Sequence, residues 1–373
     1  MTPTTSFITR CRSALRSRGD WTRREFLRGA AGVVALRHLP SGVAAPQFAY
    51  VASGEGLLHV FSLQGEQWTR IQRVPSRAPA CVLLSPAQRT LYVANEVEVH
   101  EGLPRGTVEA FHVDSQDGRL TLLSRQPLSL SATRPRHMAL SPDGKLLAVA
   151  AYGGGIYNLF SFAKDGSPGQ PARIFKDVGC GPHAVSAHPH TLFFDAGGRH
   201  LLSSDFASDR LSVFAVDEDR LRRRMQRSTG SGSGPGACVL HPSGSFFYTW
   251  HDLESTLVCY RYDGGTVGET IQRIPLQGCS AGALAMHPSG RALYTGQRVW
   301  QIDVESGRLA RTQDLLPGSG QIAVVPSGES VYVLARTGGS IYQVDADRMT
   351  GRLHSKTEVA AVNEPRSIAV KTI

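Results

Sequence analysis

The fold of this chain of 373 residues can be predicted from a repeated turn. One copy is Leu140-Ser141-Pro142-Asp143-Gly144, and Leu146-Leu147-Ala148 follows it closely. It contains the end of an apolar strand, a tight turn and the start of a second apolar strand. Five further copies have their turns at Ser85-Pro86, Ala196-Gly197, His241-Pro242, His287-Pro288 and Val325-Pro326. The copies lie 38 to 56 residues apart, a spacing that is typical of repeat proteins.

Each copy continues into a stretch in which apolar and polar residues alternate. Alternation with a period of two, interrupted by Gly, Pro and Asp, indicates short antiparallel strands. The clearest stretches are residues 107–113, 156–162, 210–216, 257–262 and 340–344. Helical periodicity is absent between residues 46 and 373, so we predict an all-β protein.

The two ends of the chain supply the two halves of a seventh copy. Residues 48–52 match the strand that follows the turn, and residues 365–370 match the strand that precedes it. Pairing of these ends would close a ring and remove its exposed edges. Residues 46–373 then hold seven copies of about 47 residues, the size of a four-stranded blade. We therefore predict a single seven-bladed β-propeller over 46–373, closed by pairing of the N- and C-terminal strands, with an array of β-sandwiches as the alternative.

Composition and charge exclude several classes of protein. Apolar residues make up 41% and charged residues 19%, which excludes wholesale disorder, and no apolar run approaches the ~18 residues of a membrane span. The net charge of +9 is concentrated in residues 1–45, where eight Arg face only Asp20 and Glu25 and give a net of +6. Because the rest of the chain is nearly balanced, we expect no nucleic-acid partner and no stable membrane insertion.

The charged leader resembles a twin-arginine export signal. Thr22-Arg23-Arg24-Glu25-Phe26-Leu27-Arg28 precedes a short apolar stretch, residues 29–36, and Val43-Ala44-Ala45 provides small residues for cleavage. We predict that residues 1–45 are removed and that the mature protein acts in the periplasm. The alternative is a disordered basic N-terminus.

Five cysteines would remain after this cleavage, namely Cys81, Cys180, Cys238, Cys259 and Cys279. At most two disulfides could form among them, with one thiol left over. The alternative is that they are small buried apolar residues, since the chain contains no Cys-x-x-Cys motif.

Several phrases resemble the lactonase propellers, the family of bacterial 6-phosphogluconolactonase and fungal carboxymuconate cyclase. They are Leu91-Tyr92-Val93-Ala94-Asn95-Glu96, Gly118-Arg119-Leu120-Thr121-Leu122-Leu123-Ser124-Arg125-Gln126, Tyr152-Gly153-Gly154-Gly155, His188-Pro189-His190 and Asp205-Phe206-Ala207-Ser208-Asp209-Arg210. The resemblance covers essentially all of residues 46–373. It implies an enzyme that opens a sugar lactone, or closes a related one, at the mouth of the central channel. We expect no cofactor.

The family's site resembles a set of one His, two Arg and one Glu. By motif, the His corresponds to His190 and the Glu to Asp252, whereas the two Arg positions hold Gly236 and Gly320. Lactone opening requires a base that activates water and groups that stabilise the developing oxyanion. We therefore expect His190, Asp252 and Glu96 to be catalytic.

The repeat identifies further candidates. The residue six before each turn position has one equivalent per blade, which in ring order gives Arg366, Ala80, Arg136, His190, Gly236, Gly282 and Gly320. The cationic half of this ring is suited to an anion, opposite an arc of glycines. We therefore expect substrate-binding residues at Arg136, His137, His183, Arg366 and Asp205. The alternative is that each Arg pairs with an acid of its own blade.

Two other features leave alternatives open. His183, His188 and His190 would suggest a metal site, but no Cys or carboxylate completes the set nearby, so we predict no metal and either a channel-lining or a structural role. The loop that contains Glu96, Glu98, His100 and Glu101 is either a solvated loop or a lid that contacts the substrate.

The leading hypothesis is thus a lactone hydrolase that acts on a small anionic lactone or carbohydrate. The alternative is an exported propeller that has lost catalysis and binds a ligand or a protein partner, which Gly236 and Gly320 favour. A propeller with a purely structural role is a third possibility. The sequence does not specify a protein partner.

Overall fold

Seven sheets, each of four antiparallel strands, form the blades of a propeller in the computed structural model of this chain. The structure describes residues 47–179, 186–218, 220–276, 283–296, 298–314, 319–335 and 337–371. These ranges contain strands and turns, and no helix in them is long and apolar enough to cross a membrane. We number the blades along the chain and call the blade that contains both chain ends blade 1.

Each blade contributes one strand to each of four layers around the channel, in the order from blade 1 to blade 7. The innermost strands are β28 (Pro365–Lys371), β4 (Pro79–Leu84), β8 (Pro135–Leu140), β12 (Pro189–Phe194), β16 (Pro235–Leu240), β20 (Leu284–Met286) and β24 (Ser319–Val324). The second strands are β1 (Gln47–Ser53), β5 (Thr90–Asn95), β9 (Leu146–Ala151), β13 (His200–Asp205), β17 (Phe246–His251), β21 (Ala292–Thr295) and β25 (Ser330–Ala335). The third strands are β2 (Leu57–Gln64), β6 (Thr107–Val113), β10 (Ile156–Phe162), β14 (Arg210–Val216), β18 (Thr256–Asp263), β22 (Arg298–Ile302) and β26 (Ser340–Ala346). The outermost strands are β3 (Gln67–Pro75), β7 (Leu120–Pro127), β11 (Pro168–Lys176), β15 (Leu221–Ser228), β19 (Thr266–Pro275), β23 (Leu309–Asp314) and β27 (Leu353–Ala361).

Burial explains why these sequences form strands at these places. Every residue of the second strands β5, β13 and β17 is buried, because both faces of a second strand pack against neighbouring blades. The outermost strand β11 instead alternates between exposed and less exposed residues, as its period-two sequence requires. The predicted third strands 107–113, 156–162 and 210–216 agree with β6, β10 and β14 at both ends.

The two chain ends close the ring, which confirms the predicted propeller and excludes the sandwich array. Strand β1 pairs antiparallel with β28, from Phe48 opposite Lys371 to Ser53 opposite Pro365. The innermost strands contact one another in an unbroken circle, with β28 between β24 and β4. One hydrophobic cluster spans blades 7 and 1 and includes Val51, Phe61, Tyr332 and Ile341. The closing blade is therefore packed like the others.

A recurring tyrosine ties neighbouring blades together. It lies on the second strand, and its hydroxyl donates to a glycine carbonyl in the outer hairpin turn of the next blade. The pairs are Tyr50 with Gly118 at 3.1 Å, Tyr92 with Gly166 at 2.8 Å, Tyr248 with Gly307 at 2.9 Å and Tyr294 with Gly351 at 2.6 Å. The recurring tyrosine therefore has a structural role, because the contact gives its hydroxyl a hydrogen-bond acceptor across a blade boundary.

Some predictions concern residues that the structure does not describe. The leader 1–45, Cys180, His183, Cys279 and Gly282 lie outside the described residues. Cys81, Cys238 and Cys259 are buried and are not in disulfides. Burial raises the pKa of all three thiols, so these side chains behave as small apolar residues.

Candidate active site

Six inner strands have a described pairing near the channel mouth, and each of them carries a β-bulge there. The bulge lies at the position six residues before the repeated turn. In blade 3, Pro135 faces Ala151 and His137 faces Ala150, so Arg136 between them has no partner. We call this the bulge position; its described members are Ala80, Arg136, His190, Gly236, Gly320 and Arg366. A bulge turns the side chain of the extra residue out of the regular alternation. Arg136, His190 and Arg366 are thus set apart by the backbone as well as by the sequence.

A second set of side chains lies beside the bulges. We call the residue directly after a second strand the exit position; in blades 1 to 5 it donates its N–H to the carbonyl two residues before the bulge of the same blade. The bonds join Gly54 to Glu364, Glu96 to Ala78, Tyr152 to Arg134, Phe206 to His188 and Asp252 to Gly234, at 2.8 to 3.1 Å. These bonds fix the exit residues of blades 1 to 5 at the mouth.

The backbone approaches the bulge in a strained conformation. Ala78, Arg134 and Glu364, each two residues before a bulge, have φ values of 45°, 52° and 47°. This left-handed region disfavours side chains other than glycine, and such residues concentrate at functional sites. Three blades therefore use an uncommon backbone to present their bulge residues at the mouth.

The two bulge-position arginines meet on one carboxylate. Arg366 Nη1 lies 3.5 Å from Glu96 Oε2, and Arg136 Nε lies 3.9 Å from Glu96 Oε1. Glu96 belongs to blade 2, between the blades of the two arginines, where the bulge residue is the small Ala80. The alternative that each arginine pairs within its own blade does not hold for Arg136 and Arg366, because both reach Glu96 across a blade boundary.

Tyr152 lies at the centre of the cationic side of the mouth. The Arg136 guanidinium is 4.7 Å from the centre of its ring, and that of Arg134 is 5.6 Å away. The ring also packs on His188, at 4.6 Å between centroids, and meets His190 edge-on at 6.5 Å. Cation–π contacts of this kind hold a guanidinium in place.

His190 is a neutral imidazole at the mouth. Burial lowers its pKa to about 3, with the nearby charge of Arg136 acting in the same direction. Its Nδ1 lies 3.0 Å from the hydroxyl oxygen of Thr191. Either atom can be the donor in this contact; with the Thr191 hydroxyl as donor, the neutral ring carries its proton on Nε2.

Asp252 faces the glycine side of the mouth. A side chain added at Gly236 would place its Cβ in collision with Asp252 Oδ2, so this carboxylate fills the space above the glycine. Burial raises the pKa of Asp252 to about 6, against the charge of Arg136, which lowers it. A carboxyl with such a pKa exchanges protons near neutral pH.

Two expected substrate-binding residues have other roles in this structure. Asp205 is 1% exposed, and its Oδ1 accepts the N–H groups of His188 at 3.0 Å and of Ser208 at 2.9 Å. This carboxylate oxygen joins the residue before β12 to the turn after β13, and the prediction that Asp205 also contacts substrate stays a prediction. His137 accepts a 3.5 Å hydrogen bond from the Leu192 N–H, and burial lowers its pKa to about 4. It links blades 3 and 4.

The surroundings of the mouth are polar. The loop 96–106 is anchored at its base, where Val97 accepts the Arg134 N–H at 2.9 Å, while Glu98 and Glu101 are exposed. A cleft of about 500 Å³ is lined in part by Thr133, Gly153, Gly154, Lys176 and Ser186. Within the described ranges, no three His, Cys, Asp or Glu side chains are grouped as metal ligands.

Sequence reasoning missed Tyr152, although the signal was present. Counting ten residues forward from the turn positions 86, 142, 196 and 242 gives Glu96, Tyr152, Phe206 and Asp252, the exit positions of blades 2 to 5. The repeat therefore defines two residues of the mouth in each of these blades.

Comparisons with known proteins agree with this architecture. Residues 49–372 match the family described as "Lactonase, 7-bladed beta-propeller". The 6-phosphogluconolactonase of Pectobacterium atrosepticum is 26% identical over 324 residues, which cover 84% of this chain and 82% of that protein. The 6-phosphogluconolactonase of Erwinia tasmaniensis is 27% identical over 229 residues, which cover 59% of this chain and 63% of that protein, less than two thirds of its length.

The solved structure of a periplasmic gluconolactonase from Pseudomonas aeruginosa shares the fold with a TM-score of 0.76 at 22% identity, covering 87% of this chain and 99% of that one. The family match spans nearly all of the propeller, and the chain therefore belongs to the seven-bladed β-propeller lactonase family.

Proposed function

We propose that this protein hydrolyses a sugar lactone at the channel mouth. The observation that carries the proposal is the convergence of three groups from neighbouring blades: Arg136, His190 and Asp252. The charge of Arg136 lowers the pKa of both His190 and Asp252, so its guanidinium lies within electrostatic range of each of them. Such a group combines a proton acceptor, a hydrogen-bond donor and a cation.

Asp252 is the general base in this proposal. Its carboxylate takes a proton from water, and the water oxygen attacks the carbonyl carbon of the lactone. The tetrahedral intermediate then collapses, the bond between the carbonyl carbon and the ring oxygen breaks, and the ring oxygen takes the proton back from Asp252. The product is a hydroxy acid, and Asp252 ends in the state in which it began. A base with a pKa near the working pH suits both transfers.

His190 stabilises the intermediate. A ring whose pKa is about 3 is a weak base, because its protonated form is disfavoured by burial. The same neutral ring can donate from Nε2 to the carbonyl oxygen as negative charge develops there. Arg136 adds a positive charge on the same side of the mouth.

Glu96, expected to be catalytic, receives a different role. Its two carboxylate oxygens are directed at Arg366 and Arg136. We therefore assign the proton transfers to Asp252 and a charge-balancing role to Glu96.

The relatives support this assignment. Two of them are named 6-phosphogluconolactonase, and a neighbour of known structure is named a periplasmic gluconolactonase. The leader with Arg23 and Arg24 points to the same compartment, so we place the mature protein in the periplasm.

The proposal is tested by a screen for lactone opening by the purified protein. The substrates are sugar lactones and muconolactone-type compounds, with and without a chelator, and the spontaneous rate is subtracted. We expect at least one sugar lactone to open faster than it does spontaneously, without a metal requirement. Failure on every lactone would reject the hydrolase. If a sugar acid still raised the melting temperature, the binding propeller that Gly236 and Gly320 favour would replace it.

A further inference from the structure

Among the described residues at the bulge positions, the exit positions and the positions two residues before the bulges, basic and acidic side chains are equal in number. Three arginines lie either at a bulge position or two residues before one. Three carboxylates lie either at an exit position or two residues before a bulge. They are Arg134, Arg136 and Arg366 on one side and Glu96, Asp252 and Glu364 on the other. His190 is neutral and adds no charge. Arg336, the residue after the second strand of blade 7, lies outside the described residues and is not part of this count.

Glu96 is the central acid in this balance. The two arginines that reach it come from blades 1 and 3, and their distances of 3.5 and 3.9 Å are those of loose, solvated pairs. The side chains of both arginines are about two-fifths exposed, whereas that of Glu96 is 18% exposed. Loose pairs leave donors on each arginine free for a ligand, while the carboxylate cancels much of their attraction for an anion.

We propose that Glu96 sets the substrate class: it reserves the mouth for an uncharged polyhydroxy lactone and disfavours a lactone that carries a phosphate group. This inference rests on the proposed function and names the substrate of the same site. Of the two substrates that the sequence suggests, a small anionic lactone or a carbohydrate, it favours the carbohydrate, because Glu96 lies between Arg136 and Arg366.

The chemistry of a polyhydroxy lactone suits this arrangement. Sugar hydroxyls donate hydrogen bonds to a carboxylate and accept them from guanidinium groups, so one sugar can satisfy Glu96, Arg136 and Arg366 together. A phosphate ester can only accept hydrogen bonds when it is fully ionised, and its charge repels Glu96. Placing like charges side by side in a binding site is strongly unfavourable. Gly236 and Gly320 occupy two other bulge positions of the described ring. Neither supplies a cation that would offset the repulsion between a phosphate group and Glu96.

The test compares D-glucono-δ-lactone with its phosphate ester at the primary hydroxyl. For wild type we expect kcat/KM to favour the uncharged lactone by at least about tenfold, the scale of one like-charge contact. Glu96→Gln should shift this ratio toward the phosphorylated lactone by about tenfold, and the shift should shrink at high salt. The matched control is Glu98→Gln, because Glu98 is an exposed acid two residues further along the same loop. It should change the ratio by less than about twofold, since a solvated charge is screened.

A wild type that prefers the phosphorylated lactone would overturn the inference, as would a Glu96→Gln ratio indistinguishable from that of wild type. A binding measurement separates this failure from failure of the proposed function. Gluconate and phosphogluconate are added to wild type and to Glu96→Gln, and the melting temperatures are recorded. If wild type opens no lactone, the proposed hydrolase function is rejected. A larger rise in melting temperature with phosphogluconate for Glu96→Gln than for wild type would still support the role of Glu96. Equal protection would reject it.

Discussion

Arg366 Nη1, on the last strand of the chain, lies 3.5 Å from Glu96 Oε2 on blade 2. The strand that closes the propeller thus also supplies a cation of the candidate site. Closure and site geometry are coupled through β28, since the pairing of β28 with β1 fixes where the Arg366 bulge lies.

Deleting residues 364–373 should destabilise the whole propeller. The deletion exposes the edge of β1 and the cluster between blades 7 and 1, so we expect aggregation or a broad transition at lower temperature. Calorimetry and size-exclusion chromatography would measure this. Arg366→Ala is the control, because it removes the guanidinium but keeps the strand, and it should melt close to wild type. A truncated chain that melts like the full one would show that closure is dispensable.

Replacements at His190 distinguish a donor from a base. His190→Ala should lower kcat for lactone opening by ~10²-fold, the usual effect of losing one oxyanion donor. His190→Gln keeps an N–H donor and should retain more activity than the alanine variant. Equal losses in both variants would indicate that the ring acts as a base. His354→Ala, an exposed histidine on β27, should leave the rate unchanged.

Restoring arginine at Gly236 should alter both charge and proton transfer. Gly236 does not have a positive φ, so a side chain is allowed once the Asp252 carboxylate rotates away. In Gly236→Arg we expect the new guanidinium to pair with Asp252, to lower its pKa below about 6 and to favour the phosphorylated lactone. Gly236→Ala displaces the carboxylate without adding charge. If both variants have the same substrate preference, the charge balance at the mouth does not govern selection.

Export should depend on the arginine pair. Replacing Arg23 and Arg24 with lysine should leave precursor in the cytoplasm, because the leader resembles a signal that is recognised by its two arginines. Immunoblots of cytoplasmic and periplasmic fractions measure the outcome. Mature-size protein in the periplasm of the double variant would contradict twin-arginine export.

The sequence predicted the fold closely because each blade is a local, repeated unit. The turn at Ser141-Pro142, the alternation in residues 156–162 and the match between the two chain ends all reflect pairing of neighbouring strands. Such pairing leaves a period-two pattern that can be read from a single chain. The bulge position could also be predicted, since it lies at a constant distance from each turn.

The pairing of charges at the site could not be predicted in the same way. Arg136 and Arg366 meet on Glu96 only because the ring places blades 1, 2 and 3 side by side at one radius. The backbone-holding role of Asp205 could not be predicted either, because its motif does not reveal that the carboxylate accepts the His188 and Ser208 N–H groups. The perturbed pKa values of His190 and Asp252 arise from burial, which a sequence pattern describes only in part.

If Asp252 is the base that activates water, the pH dependence of kcat/KM for D-glucono-δ-lactone follows the ionisation of its carboxyl group. A base must be ionised to act, so the wild-type value should rise with pH through about 6 and level off above it. Asp252→Asn should lose ~10²-fold or more at neutral pH and should lack this rise, while Asp263→Asn, an exposed control, should match wild type. An Asp252→Asn enzyme with the wild-type rate and the wild-type profile would contradict the account.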